Sequence, residues 1–165
     1  MSSQILRNIE PKIAKCESII GYTFQDKVLC IQALKSVGTG VLVSYNGFIH
    51  DLPNNKALAV LGDRVQHLAL CVKWWNRGVP RVSEQYSQVE QENLGNKPLG
   101  ERGMERGIHT CILQDPGRTV RREQPTNKMV ADAMEAIAGA VYLDGGDEAL
   151  EKVMSALGLD LHRYL

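Results

Sequence analysis

The stretch from Val130 to Gly146, VADAMEAIAGAVYLDGG, constrains the fold more than any other part of the chain. At 100° per residue, Val130, Met134, Ile137 and Val141 form one stripe of a helix, and Asp132 and Glu135 lie on the opposite side. A spacing of three makes the two carboxylates neighbours, about 5–6 Å apart at Cβ, which suits a shared hard cation such as Mg²⁺. A D-x-x-E pair by itself more often marks a solvated face. Here, however, that face is completed by Ala136, Gly139 and Ala140, where a solvated helix carries Lys, Glu or Gln. Small residues beside two carboxylates predict a close-packed neighbour. Carboxylates held there need a compensating charge, supplied by a metal ion or an arginine.

A second long helix is predicted from Lys56 to Asn76, capped by Asn54 or Asn55 and stopped by Arg77, Gly78 and Pro80. Its large apolar residues, Leu58, Leu61, Val65, Leu68, Val72 and Trp75, read as the core face. Asp63 lies away from that face beside Gly62, which lets another backbone or a ligand approach. Lys56 falls on nearly the same side two turns earlier, and His67 one turn later is assigned no role. Trp74 and Trp75 are expected in the core or at a dimer contact rather than as base-stacking platforms.

The remaining breakers divide the chain into helices with short connections, so the expected class is all-α. Helices are predicted over roughly Ser3 to Ser18, bent or restarted at Pro11, then Gln25 to Lys35, Ser83 to Leu94, Lys97 to Gly107 and Glu148 to Leu157. Gly38 to Asn55 reads as a loop with at most a short extended piece, and Gln114 to Asn127 as an exposed loop. A length of 165 residues suits one domain, 1–165.

Nineteen basic and nineteen acidic side chains leave no net field to attract a polyanion. Contact with nucleic acid must then come from local clusters or bound metal. Cys16, Cys30, Cys71 and Cys111 have no CxxC spacing and read as reduced thiols of an intracellular protein. No apolar run approaches a membrane span, and the N-terminus lacks the apolar centre of a signal peptide. The expected location is cytoplasmic, with a mitochondrial one left open by the basic residues of that N-terminus.

NNKALAVLGD (Asn54 to Asp63) and VADAMEAIAGAVYLD (Val130 to Asp144) resemble the two acidic signatures of ribonuclease III, NERLEFLGD and LADAFEALIGAIYLD. IIGYTFQDKVLCIQAL and ENLGNKPLGERGMERGI are similar to two further segments of that family. The resemblance implies a helical endonuclease domain that forms a symmetric homodimer, with the signature helices near the two-fold axis. It assigns Asp63, Asp132 and Glu135 as catalytic, metal-binding carboxylates for Mg²⁺, with Mn²⁺ as a substitute. Two signature glutamates are replaced, by Lys56 and Ala59. The ALA before the GD pair resembles the compact mini-ribonuclease III branch, which is catalytic.

The expected function is therefore metal-dependent endonucleolytic cleavage of double-stranded RNA, in RNA processing. Arg118, Arg121, Arg122 and Lys128 are the expected RNA contacts, with Lys73, Arg77 and Arg81 as a second basic group. Since the sequence closes soon after the acidic helix, grip on RNA is expected to come from the nuclease domain itself or from a separate RNA-binding partner. The alternative is a ribonuclease III fold kept as an RNA-binding or ribosomal scaffold subunit, weak or inactive in cleavage. A metal-sized gap among Asp63, Asp132 and Glu135 favours the enzyme, whereas a Lys56 ammonium filling it favours the scaffold.

Overall fold

The structure is a computed structural model and describes residues 4–165. Its elements in chain order are β1 (Gln4–Leu6), α1 (Glu10–Ile20), α2 (Lys27–Leu34), β2 (Val41–Tyr45), β3 (Phe48–His50), α3 (Lys56–Asn76), α4 (Ser83–Val89), α5 (Asn96–Arg106), α6 (Pro116–Val120) and α7 (Asn127–Ala156). One π-helical turn, Glu90–Leu94, follows α4 directly. The helical class expected from the sequence holds, with one small sheet added at the edge.

The centre of the molecule is the first half of α7. Thr126 caps it by accepting a hydrogen bond from the Met129 amide, which satisfies one of the unpaired donors of the first turn. From Val130 to Val141 every residue except Asp132 and Glu135 is buried, on the small-residue face as well as the large. Helices α3, α5 and α2 pack around it. Gly103 of α5 is one reason that helix tolerates its glycines, because a Cβ there would collide with the Val130 side chain. At Gly146 the backbone turns to φ 77°, a left-handed value open to glycine, and the chain resumes as helix in a new direction. The GGD break and the final helix expected from Glu148 are therefore one kinked element.

Four expectations need correction. The first helix starts at Glu10, with Pro11 in its first turn where a missing amide donor costs nothing. Of the residues expected before it, Gln4–Leu6 form a strand, and Ser3 lies outside the described residues. The loop expected over Gly38 to Asn55 contains a hairpin whose turn is Asn46-Gly47, with φ of 51° and 79°. Positive φ at both central residues matches the twist of a hairpin, and Asn-Gly is the pair that accepts it. Strand β1 then joins β2 in parallel, Gln4 opposite Val41. The Gln114 to Asn127 loop also contains the short helix α6, opened by the Asp115 side chain accepting from the Gly117 amide.

The fourth correction concerns α3. Its buried residues are Leu58, Ala59, Gly62, Gln66 and Leu70. Leu68, Val72 and Trp75, expected in the core, are exposed by 61%, 48% and 55%. Leu61 and Val65 are only half-buried. Helix α3 thus has two apolar faces, and the one with the smaller residues meets α7.

Candidate acidic site at the crossing of two helices

Gly62 and Gly139 place α3 directly on α7. A Cβ added at Gly62 would overlap the carbonyl oxygen of Glu135 and come within 2.9 Å of the Gly139 nitrogen. A Cβ at Gly139 would overlap the Leu58 carbonyl oxygen in the same way. The close-packed neighbour predicted for the small face of α7 is therefore α3. This crossing sets Asp63, the residue after Gly62, against the face that carries Asp132 and Glu135.

The three carboxylates differ in their surroundings. Glu135 has its carboxyl pushed up to about 7, first by burial and then by the negative charges of Asp63 and Asp132. Asp132 is more enclosed than Asp63, its side chain 13% exposed against 33%, and it pairs with two ammonium groups. Lys56 Nζ lies 2.5 Å from its Oδ2, and Lys128 Nζ lies 3.4 Å from Oδ1. Asp63 Oδ1 is 3.3 Å from His67 Nε2, one helical turn on, and its Oδ2 is 3.4 Å from the Arg64 guanidinium.

His67 is a neighbour that sequence reasoning left without a role. Its Nδ1 is 2.9 Å from Glu90 Oε1 in the π-helical turn, so the ring bridges Glu90 and Asp63. The Tyr86 hydroxyl also donates to the His67 carbonyl oxygen at 2.7 Å. Only the i, i+4 spacing of Asp63 and His67 could have signalled the contact, and Glu90 joins through tertiary structure.

The carboxylates are hard oxygen donors, the chemistry that Mg²⁺ or Mn²⁺ takes. Their arrangement is less complete. Among the described residues, no three His, Cys, Asp or Glu side chains converge closely enough to hold a metal ion. The donor set therefore fits a divalent ion in kind, while Asp132 and Asp63 are each engaged by bases of the chain itself. Ala59 is buried against the core, so the side chain that replaces the second signature glutamate contributes packing and no oxygen.

The basic residues expected to touch RNA divide into two groups. Lys128 belongs to the acidic site through Asp132. Arg118 and Arg121 both pair with Glu123, at 3.3 and 2.5 Å, which anchors the α6 loop on itself. Arg122 sits at φ 56° and is exposed. In the second basic group, Lys73 pairs with Asp160 at 3.0 Å, and Arg81 stacks its guanidinium 4.2 Å from the Trp75 ring centre. The four cysteines are unpaired thiols, three of them buried. No helix among the described residues is long and apolar enough to cross a membrane.

Comparison with known proteins agrees with the two signatures. A family model described as ribonuclease-III-like matches residues 43–160. Ribonuclease 3 of Rhodopirellula baltica is 31% identical over 138 residues, 83% of this chain and 48% of that protein. Ribonuclease 3 of Caldanaerobacter subterraneus is 27% identical over 153 residues, 90% of this chain and 61% of that protein. The chain thus spans about half the length of the curated relatives it matches. The nuclease domain of ribonuclease III from Campylobacter jejuni superposes with a TM-score of 0.71 at 23% identity, covering 90% of this chain and 98% of that one, which extends the likeness to the fold. With the signature residues, the family match and the helical frame in agreement, the chain belongs to the ribonuclease III-like family.

Proposed function

We propose that this chain is a single endoribonuclease domain, 1–165, that cleaves double-stranded RNA in RNA processing with the help of a divalent ion. The observation that carries this reading is the Gly62–Gly139 crossing, which brings Asp63 to Asp132 and Glu135. Asp63, Asp132 and Glu135 would hold Mg²⁺ or Mn²⁺, and such an ion, when bound, supplies an activated water and stabilisation of the leaving oxygen. Burial and the neighbouring carboxylates leave Glu135 ready to take a proton when no cation is near, so a bound divalent ion would draw it into the charged form, while Lys128 stands beside Asp132. Arg118, Arg121 and Arg122 would meet phosphates from the α6 loop, and a separate RNA-binding partner would add grip.

A homodimer through the outer face of α3 completes the proposal. Val60, Leu68, Val72 and Trp75 are exposed along that one side. Exposed apolar side chains gathered on one helix face, here interrupted by Arg64, suit an interaction surface. The related C. jejuni nuclease domain is described as having a region involved in dimer formation. Unpaired cysteines agree with a reducing compartment, the cytoplasm or the mitochondrion.

A second reading, the non-cleaving RNA-binding or scaffold subunit, is favoured by one observation, the Lys56 ammonium on Asp132. One assay separates the two. Long double-stranded RNA is incubated with the wild-type chain and Mg²⁺ or Mn²⁺, beside Glu135→Ala and Asp63→Ala. Product from the wild type alone supports cleavage. Equal background in all three, together with a gel shift of the RNA in Ca²⁺, supports the scaffold.

A further inference from the structure

Lys56 occupies the first turn of α3, where the family's signature carries a glutamate, and its charge is inverted at that position. Its ammonium makes the shortest ion pair of the acidic site, 2.5 Å to Asp132. The side chain is 59% exposed and the carboxylate 13%, so the cation reaches inward from solvent on a flexible stem. Lys128 approaches the same carboxylate more loosely, at 3.4 Å. Asp132 is thereby neutralised from two sides, while Glu135, one turn on, has no basic partner within ion-pair distance among the described residues.

We propose that Lys56 is an internal competitor for the metal: the acidic site rests with the Lys56 ammonium on Asp132, and a divalent ion binds by displacing it. This rests on the reading of Asp63, Asp132 and Glu135 as the metal site. An ammonium is a single, well-hydrated point charge, and an ion pair with one partner this exposed is held loosely. It can therefore leave. A divalent ion presents twice the charge to the same carboxylates and also neutralises Glu135, which the lysine does not. The apparent metal affinity is reduced by the fraction of time that Asp132 is released, so the site fills only above a threshold of divalent ion.

The test measures metal binding without RNA. Mn²⁺ is titrated into the full chain, with unbound ion followed by electron paramagnetic resonance, for the wild type, Lys56→Met, Lys56→Gln, Lys56→Glu and the charge-retaining Lys56→Arg. The expected result is affinity raised about tenfold in Lys56→Met and Lys56→Gln, raised further in Lys56→Glu, and unchanged in Lys56→Arg. Equal affinity in the wild type and both neutral variants overturns the proposal, and so does absence of Mn²⁺ binding in every variant. Thermal melts check that all variants fold. Cleavage of double-stranded RNA is scored separately on the same preparations. Tighter Mn²⁺ binding with no cleavage keeps the competitor and sinks the enzyme, whereas wild-type cleavage with no affinity change in the neutral variants does the reverse.

Discussion

Helices α3 and α7 meet at two glycines, yet they are constrained in different ways. The first half of α7 is enclosed on nearly all sides, so almost every residue from Val130 to Val141 answers to packing. Helix α3 is enclosed on one side only. Its inner face, Leu58, Ala59, Gly62, Gln66 and Leu70, fits α7, and its outer face leaves Val60, Leu68, Val72 and Trp75 exposed. The same contrast appears in the chemistry. Set beside the two signatures that the chain resembles, α7 has both carboxylates, while α3 has Asp63 and carries Lys56 and Ala59 where that signature has glutamates. An enclosed helix has little freedom to change, whereas a two-faced one can alter its charge and keep its contacts.

The largest effect is expected at the crossing itself. Gly62→Ala forces two helix backbones apart, because the new Cβ has only the Glu135 carbonyl to enter. A loss of about 3 kcal/mol or more is expected in urea unfolding, and wild-type stability in that variant would break the description of α3 and α7 as locked together. The outer face should behave in the opposite way. Leu68→Glu with Trp75→Glu is expected to weaken self-association by about a hundredfold or more in sedimentation equilibrium, with the helical circular dichroism unchanged. If the wild type is already monomeric at high concentration, the outer face of α3 is not a dimer surface.

A smaller effect separates Glu135 from its neighbours. Burial and the negative charges of Asp63 and Asp132 push its carboxyl up to about 7 in the folded chain, above its ordinary value, so the folded state binds the proton more tightly. Stability of the metal-free protein should therefore fall as pH rises from about 4.5 through about 7. The fall is expected to be about 1 kcal/mol, since solvent reaches part of the side chain and screens the charge. In Glu135→Gln that decline should vanish, as measured by thermal melts in a chelator across the pH range. A decline that persists in the variant places its origin elsewhere.

The smallest effect belongs to the α6 loop. Arg122→Ala is expected to weaken binding of double-stranded RNA about two- to threefold and to lower the salt slope by about one. Arg121→Ala should have less effect on binding, because Glu123 already holds that guanidinium. Equal slopes in both variants and the wild type would remove the loop from the RNA surface.

The acidic helix of α7, its close-packed small face and the Asn54–Asn55 start of α3 were all legible in the sequence. Each depends on residues near one another in the chain. Periodicity locates helices, and Gly139 beside two carboxylates announces a near neighbour whatever that neighbour is. The Asn46-Gly47 hairpin also has a local signal, the Asn-Gly pair itself, set among the other glycines of its loop. Strand β1 carried no such signal, because three residues become a strand only by pairing with Val41–Val43.

The sequence by itself determined that a helix with two carboxylates would be packed tightly on its small face, and that α3 would carry Asp63 beside a glycine. Only the tertiary structure decided which apolar face of α3 is buried, that His67 bridges Asp63 to Glu90, and that Lys56 reaches Asp132. Periodicity records how apolar a face is, not what approaches it. The larger residues of α3 look like a core, but contact at the glycine backbones turns the Gly62 side inward, with Leu58 and Leu70 on that side, so Leu68, Val72 and Trp75 face outward. Ion pairs across 76 positions likewise depend on how the helices cross, which no local pattern encodes.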